Sequence, residues 1–322
     1  MLDTHQTRER PPAPPGARQP TIVVEHLSKW YGDVVAVSDV SFHVEPGVTG
    51  LLGPNGAGKS TILKTLSGLL APSTGSVRVL GQPVRGNPAI YRQIGLVPEQ
   101  EGVYPFLTGR EFVRLNAVMQ QLDDPEAAVR AVLALVELER DADRAVRGYS
   151  KGMRQRIKIA GGLVHDPEVL ILDEPLTGTD PVQRLRLMEL IRRLGDEGKT
   201  VLVSSHVLHE VERVADRILV LVDGKLAAAG DYRAIRDQID EHARMVRVRA
   251  GDIRGLMADL VGQEWLETVR FEGDGAAVLE TNDVRALYRA LPAVAQRLRI
   301  RLYEIAALDE SLSSVFAYVT ER

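Results

Sequence analysis

The sequence predicts an α/β protein built on a mostly parallel β-sheet, followed by a small α+β unit of ferredoxin-like type. Three observations carry that prediction. Runs 169–172 and 200–204 read as strands buried on both faces. Segments of helical periodicity separate them, which suits parallel strands joined by helical crossovers. After Asp231 the texture changes to short strands and amphipathic helices in the order β-α-β-β-α-β.

The elements follow in order. Residues 1–20 carry Pro11, Pro12, Pro14, Pro15 and Pro20 and read as a disordered or polyproline-like tail. Residues 21–235 form the larger domain. In it 48–52 is a strand, 53–58 a glycine-rich break, and 59–70 a helix with Ile62, Leu63, Leu66, Leu69 and Leu70 on one face, ended by Pro72. A helical insert occupies about 99–150. Asp124-Pro125 and Asp180-Pro181 each place an N-cap and a first-turn proline before a periodic segment. Strand 218–222 pairs with 226–229 across Asp223-Gly224. Residues 240–322 form an accessory domain with strands near 245–249, 268–271, 276–279 and 300–305, helices near 253–261 and 283–298, and a last helix at 312–320.

Composition excludes several function classes. A net charge of -4 gives no basic field, so no nucleic-acid partner is expected. The absence of cysteine removes disulfides, thiolate metal sites and a cysteine nucleophile. No stretch nears the ~20 apolar residues that span a bilayer, and the N-terminus has no apolar h-region. Any membrane part is expected on another chain.

Gly53-Pro54-Asn55-Gly56-Ala57-Gly58-Lys59-Ser60 has the pattern G-x-x-x-x-G-K-[ST] between a strand and a helix. Its glycines let backbone N–H groups converge on phosphate oxygens, and the helix adds its positive end. Lys59 can reach the β- and γ-phosphates, and the Ser60 hydroxyl can ligate Mg²⁺. Nucleoside triphosphate binding follows. Four apolar residues, 169–172, end in Asp173 and Glu174. Unpaired charge is costly at a buried strand end, so these carboxylates are expected to face Mg·ATP, Asp173 in the metal shell and Glu174 as general base. His206 and His209 stand three apart, but no third ligand supports a metal there.

These residues suit any P-loop ATPase. Tyr149-Ser150-Lys151-Gly152-Met153-Arg154-Gln155-Arg156, upstream of Asp173, resembles the signature segment of ATP-binding cassette (ABC) proteins. Tyr31 resembles the family's adenine-stacking aromatic, Gly178-Thr179-Asp180-Pro181 its D-loop, and Ser204-Ser205-His206 its switch-histidine segment. The resemblance implies a P-loop ATP-binding cassette domain with a helical insert. It implies ATP contacts at Tyr31, Asn55, Gly56, Ala57, Gly58, Lys59, Ser60 and Thr61, with Lys59, Glu174 and His206 catalytic. Mg²⁺ is implied at Ser60, Asp173 and Glu99, the last standing where the family has glutamine, with Gln100 as the alternative by a one-residue shift. Ser150, Lys151, Gly152, Met153 and Asp180 are implied to reach ATP held by the opposite subunit. Partners follow: a homodimer or heterodimer of ATP-binding subunits, on the cytoplasmic face of the membrane, with separate integral membrane permease subunits. The segment resembles drug- or antibiotic-exporter subunits.

Simpler physical roles remain for some of these. Tyr31 suits either base stacking, worth ~1–3 kcal/mol, or core packing. Ser150 suits either a helix cap or an anion contact. Lys151 stands where the family has glycine and Thr179 where it has leucine. Arg184, Arg186, Arg192, Arg193, Glu137, Glu139 and Arg140 read as solvated helix faces. The rival functions are a soluble cassette ATPase acting on ribosomes or DNA, and a module that holds ATP without turnover. Glu174 and His206 argue against the second.

Overall fold

In the computed structural model, residues 19–100, 102–231, 244–273 and 275–308 are described. Residues 1–18 of the tail predicted at 1–20, and the last helix predicted at 312–320, lie outside them.

Fourteen strands and nine α-helices form three sheets with their covering helices among the described residues. The first sheet is antiparallel, in the order β2 (Val34–Val44), β1 (Ile22–Tyr31), β4 (Thr74–Val79), β5 (Gln82–Pro83). The second has six strands in the order β10 (Lys225–Asp231), β9 (Arg217–Val222), β3 (Gly47–Leu52), β8 (Thr200–Ser205), β7 (Val169–Leu172), β6 (Ile94–Val97). All its pairs are parallel except β9–β10, whose turn has positive φ at both Asp223 and Gly224, as a tight hairpin requires.

Alternate residues of the parallel strands enter two different cores. Leu170, Leu172, Val201 and Val203 pack with α5 (Lys151–Leu163), α6 (Pro181–Asp196) and α7 (Leu208–Val214). Val169, Ile171, Leu202 and Leu51 pack with α1 (Lys59–Leu66) and the antiparallel sheet. Burial on both faces explains the unbroken apolar runs, and each fully buried aliphatic contributes roughly 1.5–3 kcal/mol.

Helix α1 stops four residues before the predicted end. Gly68 turns to φ +77°, the Ser67 N–H bonds Leu63 O, and Leu69 is left 69% exposed. After α2 (Pro88–Tyr91), the insert is α3 (Gly109–Met119), α4 (Pro125–Leu135) and α5, packed through Phe112, Val113, Val129, Leu133, Ile157 and Ala160. Asp124 and Asp180 cap α4 and α6 as the sequence predicts.

The C-terminal strands β11 (Arg244–Ala250), β12 (Leu266–Glu272), β13 (Ala276–Thr281) and β14 (Leu302–Ala307) form an antiparallel sheet in the order β12-β13-β11-β14. With α8 (Ile253–Leu260) and α9 (Val284–Leu298) this gives the expected β-α-β-β-α-β connection and a core of its own around Val246, Val248, Leu256, Leu279, Leu287 and Leu291.

Candidate active site

The carboxyl ends of β3, β7, β8 and β6 gather the chemistry, as expected for ligand sites on open parallel sheets. The chain leaves β3 through 53–58 and enters α1 at Lys59. Gly56 and Gly58 have φ of +85° and +99°, and a Cβ on Gly58 would lie 2.5 Å from Ala36 O. Glycine is therefore required there twice over, for backbone conformation and for space. No side chain caps α1, which leaves its positive end to a ligand.

Lys59 is 6% exposed and donates from Nζ to Gly53 O at 2.8 Å and Pro54 O at 3.2 Å. Its Nζ also lies 3.9 Å from Glu174 Oε1. Burial pushes its pKa below the ordinary lysine value, and the charges of Glu174, Asp173 and Glu99 oppose that shift.

Asp173 and Glu174, 5% and 9% exposed, follow β7. The Ser204 hydroxyl, at the end of β8, donates to Asp173 Oδ1 at 2.7 Å and accepts the Glu174 N–H at 2.9 Å. One serine thus joins the two strand ends. Glu174 has φ +50°, a left-handed conformation costing about 1–2 kcal/mol in a non-glycine residue. Such strain persists where the surroundings enforce it and gathers at functional sites. Glu174 Oε2 accepts from Thr177 Oγ1 at 3.1 Å and faces His206 Nδ1 at 2.9 Å. The Nδ1–H tautomer donates that hydrogen bond.

These groups border an open cleft of about 550 Å³. Asn55, Gly56, Gly58, Lys59, Ser60 and Thr61 line one part of it, and Glu99, Glu174, Thr177 and His206 another, with Ala36 alongside. Glu99, not Gln100, is among the lining residues. Ser60 and Glu99 in the lining, and Asp173 beside Glu174 in the chain, offer hard oxygen atoms. That donor chemistry fits Mg²⁺, which takes a few protein oxygens and retains water.

Other sequence-predicted residues stand outside the lining. Ala57 is 3% exposed and packs inward. Tyr31 is 50% exposed at the end of β1, with Lys29 Nζ 5.2 Å from its ring centroid. Ser150 caps α5 by accepting the Met153 N–H at 3.2 Å, and Asp180 caps α6. Lys151 lies across Gly178, and Gly152 borders Gln183. None of Ser150, Lys151, Gly152, Met153 or Asp180 lines this chain's own cleft.

The structure adds residues that motif reading does not assign. Ser204 and Thr177 bind the two carboxylates directly. Arg184, expected on a solvated face, instead lies 3.3 Å from the buried Glu210 and donates to Thr179 O at 3.2 Å.

The family described as ABC transporter matches residues 37–177. Nod factor export ATP-binding protein I of Rhizobium etli is 39% identical over 302 residues, 92% of each chain. An uncharacterized ABC transporter ATP-binding protein of Bacillus subtilis is 31% identical over 299 residues, 92% of this chain and 98% of its own. Among solved structures, an ATP-binding subunit of an ABC transporter superposes with TM-score 0.63 at 32% identity, covering 68% of this chain and 93% of that one. A dimeric ATP-binding cassette in a post-hydrolysis state, bound to ADP and phosphate, gives 0.60 at 26% identity over 65% and 98%. The phosphate loop, the paired carboxylates and relatives that span nearly the whole chain agree: this chain belongs to the ABC transporter ATP-binding subunits, a family of ATPases.

Proposed function

We propose that this chain energises export through separate membrane permease subunits, on the cytoplasmic face of the membrane. Residues 21–235 serve as the cassette domain, 240–322 as an accessory domain, and the cassette pairs with a second ATP-binding subunit. The observation that carries the hydrolytic part of this reading is the Glu174 carboxylate held between His206 and Lys59 at the wall of the phosphate-loop cleft. In this reading the loop N–H groups and Lys59 bind the β- and γ-phosphates, and Tyr31 stacks on the base. Glu174 takes the proton of the attacking water, and His206 Nδ1–H orients Oε2 for that transfer. Mg²⁺ would be held by Ser60, Asp173 and Glu99, and would supply charge neutralisation at the phosphates.

Because Ser150, Lys151, Gly152, Met153 and Asp180 stand off this chain's own cleft, they are proposed to close over the nucleotide of the partner subunit. Dimeric cassettes among the solved structures support that pairing. Relatives named Nod factor export ATP-binding proteins support the outward direction. Among the described residues no helix is long and apolar enough to cross a membrane, so this reading puts the channel on other chains.

The test is capture of the Glu174→Gln protein, with ATP, from detergent-solubilised native membranes. A co-purifying polytopic membrane protein is the expected result. Ribosomes or DNA-associated proteins, with no membrane chain, would overturn the transport reading and leave the ATPase standing.

A further inference from the structure

We propose that Arg184 and Glu210 are positioning residues for ATP hydrolysis, joining the strand end that bears His206 to the loop that ends at Asp180. This rests on the roles given above to Glu174 and His206. Ser205 immediately precedes His206, and its hydroxyl donates to Glu210 Oε2 at 3.2 Å while accepting the Val207 N–H at 2.9 Å. Glu210, in the first turn of α7, is 4% exposed. Its other oxygen lies 3.3 Å from Arg184 Nε. Arg184, in the first turn of α6, donates from Nη2 to Thr179 O at 3.2 Å. Thr179 in turn donates through Oγ1 to Leu176 O at 2.7 Å. Thr177, next along the chain, donates to Glu174 Oε2, and His206 meets that same oxygen.

These contacts close a ring around the catalytic carboxylate. On one side His206 touches Glu174 directly. On the other, the path runs Ser205, Glu210, Arg184, Thr179, Leu176 and back to Glu174 through Thr177. Stability alone explains such a pair poorly, because Glu210 is buried while Arg184 is half-buried, and the cost of taking a charge out of water offsets much of what the pairing returns. The charges add direction. The carboxylate accepts the Ser205 hydroxyl on one oxygen, and its other oxygen pairs with Arg184 Nε as an ion pair at 3.3 Å without an aligned hydrogen bond, while Nη2 of the same planar guanidinium donates to the carbonyl of the residue before Asp180. A shift of the Thr179–Asp180 loop is therefore transmitted to the histidine-bearing strand end. Neither residue lines this chain's own cleft, so neither is among the groups that contact ATP there.

The test measures steady-state ATPase and unfolding midpoints for Arg184→Met, Glu210→Gln, the double variant and Glu174→Gln. We expect each single variant to lower kcat by about tenfold or more, the cost of slight misplacement, with KM for ATP changed less than about twofold. The double variant should be no slower than the slower single one, because both break one path. Arg184→Lys should recover little, since an ammonium lacks the fork that serves Glu210 and Thr179 together. Arg184→Met strands a buried carboxylate. If it fails to fold, the double variant, free of both charges, carries the comparison. Wild-type kcat in the singles, losses that multiply in the double, or a KM rise that tracks lost stability would overturn the proposal. If Glu174→Gln retains full turnover, the underlying assignment falls. If it loses turnover while the Arg184 and Glu210 variants do not, this proposal alone falls.

Discussion

Replacing Glu174 by glutamine removes a proton acceptor with the least change of shape. The side chain is 9% exposed, and Oε2 serves both His206 Nδ1 at 2.9 Å and Thr177 Oγ1 at 3.1 Å. The amide keeps an oxygen acceptor in that position, so the fold is retained. Loss of a general base lowers turnover by about 10²–10⁴-fold. At 1.36 kcal/mol per tenfold this is about 2.7–5.4 kcal/mol of barrier. Binding should shift the other way. Oε1 lies 3.9 Å from Lys59 Nζ. Two unit charges at about that distance interact by about 4 kcal/mol at an effective dielectric near 20, and solvent in the open cleft screens part of it. Neutralising Glu174 releases Lys59 to the triphosphate and removes a negative charge from its surroundings. Phosphate release at saturating Mg·ATP and equilibrium ATP binding measure the two effects. We expect kcat to fall at least about a hundredfold while Kd for ATP stays level or drops. Turnover within about threefold of wild type would remove Glu174 as the base. A weaker Kd would refute the view that Glu174 competes with ATP for Lys59.

Three further outcomes are expected. Ser204→Ala orphans Asp173 Oδ1 and the Glu174 N–H, at about 1–3 kcal/mol for each buried group left unpaired; an unchanged denaturation midpoint would show that both find other partners. Glu99→Gln should raise the Mg²⁺ needed for half-maximal ATPase activity while tightening metal-free ATP binding, because it removes a charge from the cleft wall. An unchanged Mg²⁺ profile there, with a shift in Gln100→Ala instead, would move the role to the neighbouring residue. Burial lowers the pKa of His165 below 6.5, against the raising effect of its bond to Ile94 O and the Asp166 charge. A group depressed in the folded state adds stability that is present above pH 6.5 and lost as pH falls through the folded value. Thermal unfolding from pH 8 to 5 should therefore show a steeper acid loss in wild type than in His165→Gln, and parallel curves would contradict it.

The legible parts of this protein are those whose chemistry lies on contiguous residues. A loop that wraps phosphate must turn, approach closely and start a helix within a few positions, so 53–60 declares itself. The same holds for β7, where four apolar residues end in two acids. Other elements were hidden for identifiable reasons. The N-terminal sheet escaped because β1 has register irregularities between Val24 and Leu27, Leu27 and Lys29, and Lys29 and Trp30, which break the period of two that marks a half-buried strand. The end of α1 was visible in principle: Ser67-Gly68 is a C-terminal stop signal, but the apolar repeat through Leu69 and Leu70 outweighed it.

Arg184 marks the deeper limit. On α6 it belongs to a charged periodic face, and periodicity alone assigns such a face to solvent. Its environment is set by Glu210, which packing of α7 against α6 buries to 4% exposure. Local pattern carries no information about that partner, because the pairing exists only after two helices and the strand between them are in place. The pair proposed as catalytic behaves differently: Glu174 and His206 are also far apart in sequence, yet each lies within a recognisable local segment, so each can be named before the structure brings them to 2.9 Å. The residues proposed to perform chemistry thus lie in recognisable segments of the chain, whereas Arg184 and Glu210, proposed to hold them in place, are visible only in the packing. The Arg184–Glu210 contact is accordingly where substitutions outside the motifs should change turnover most.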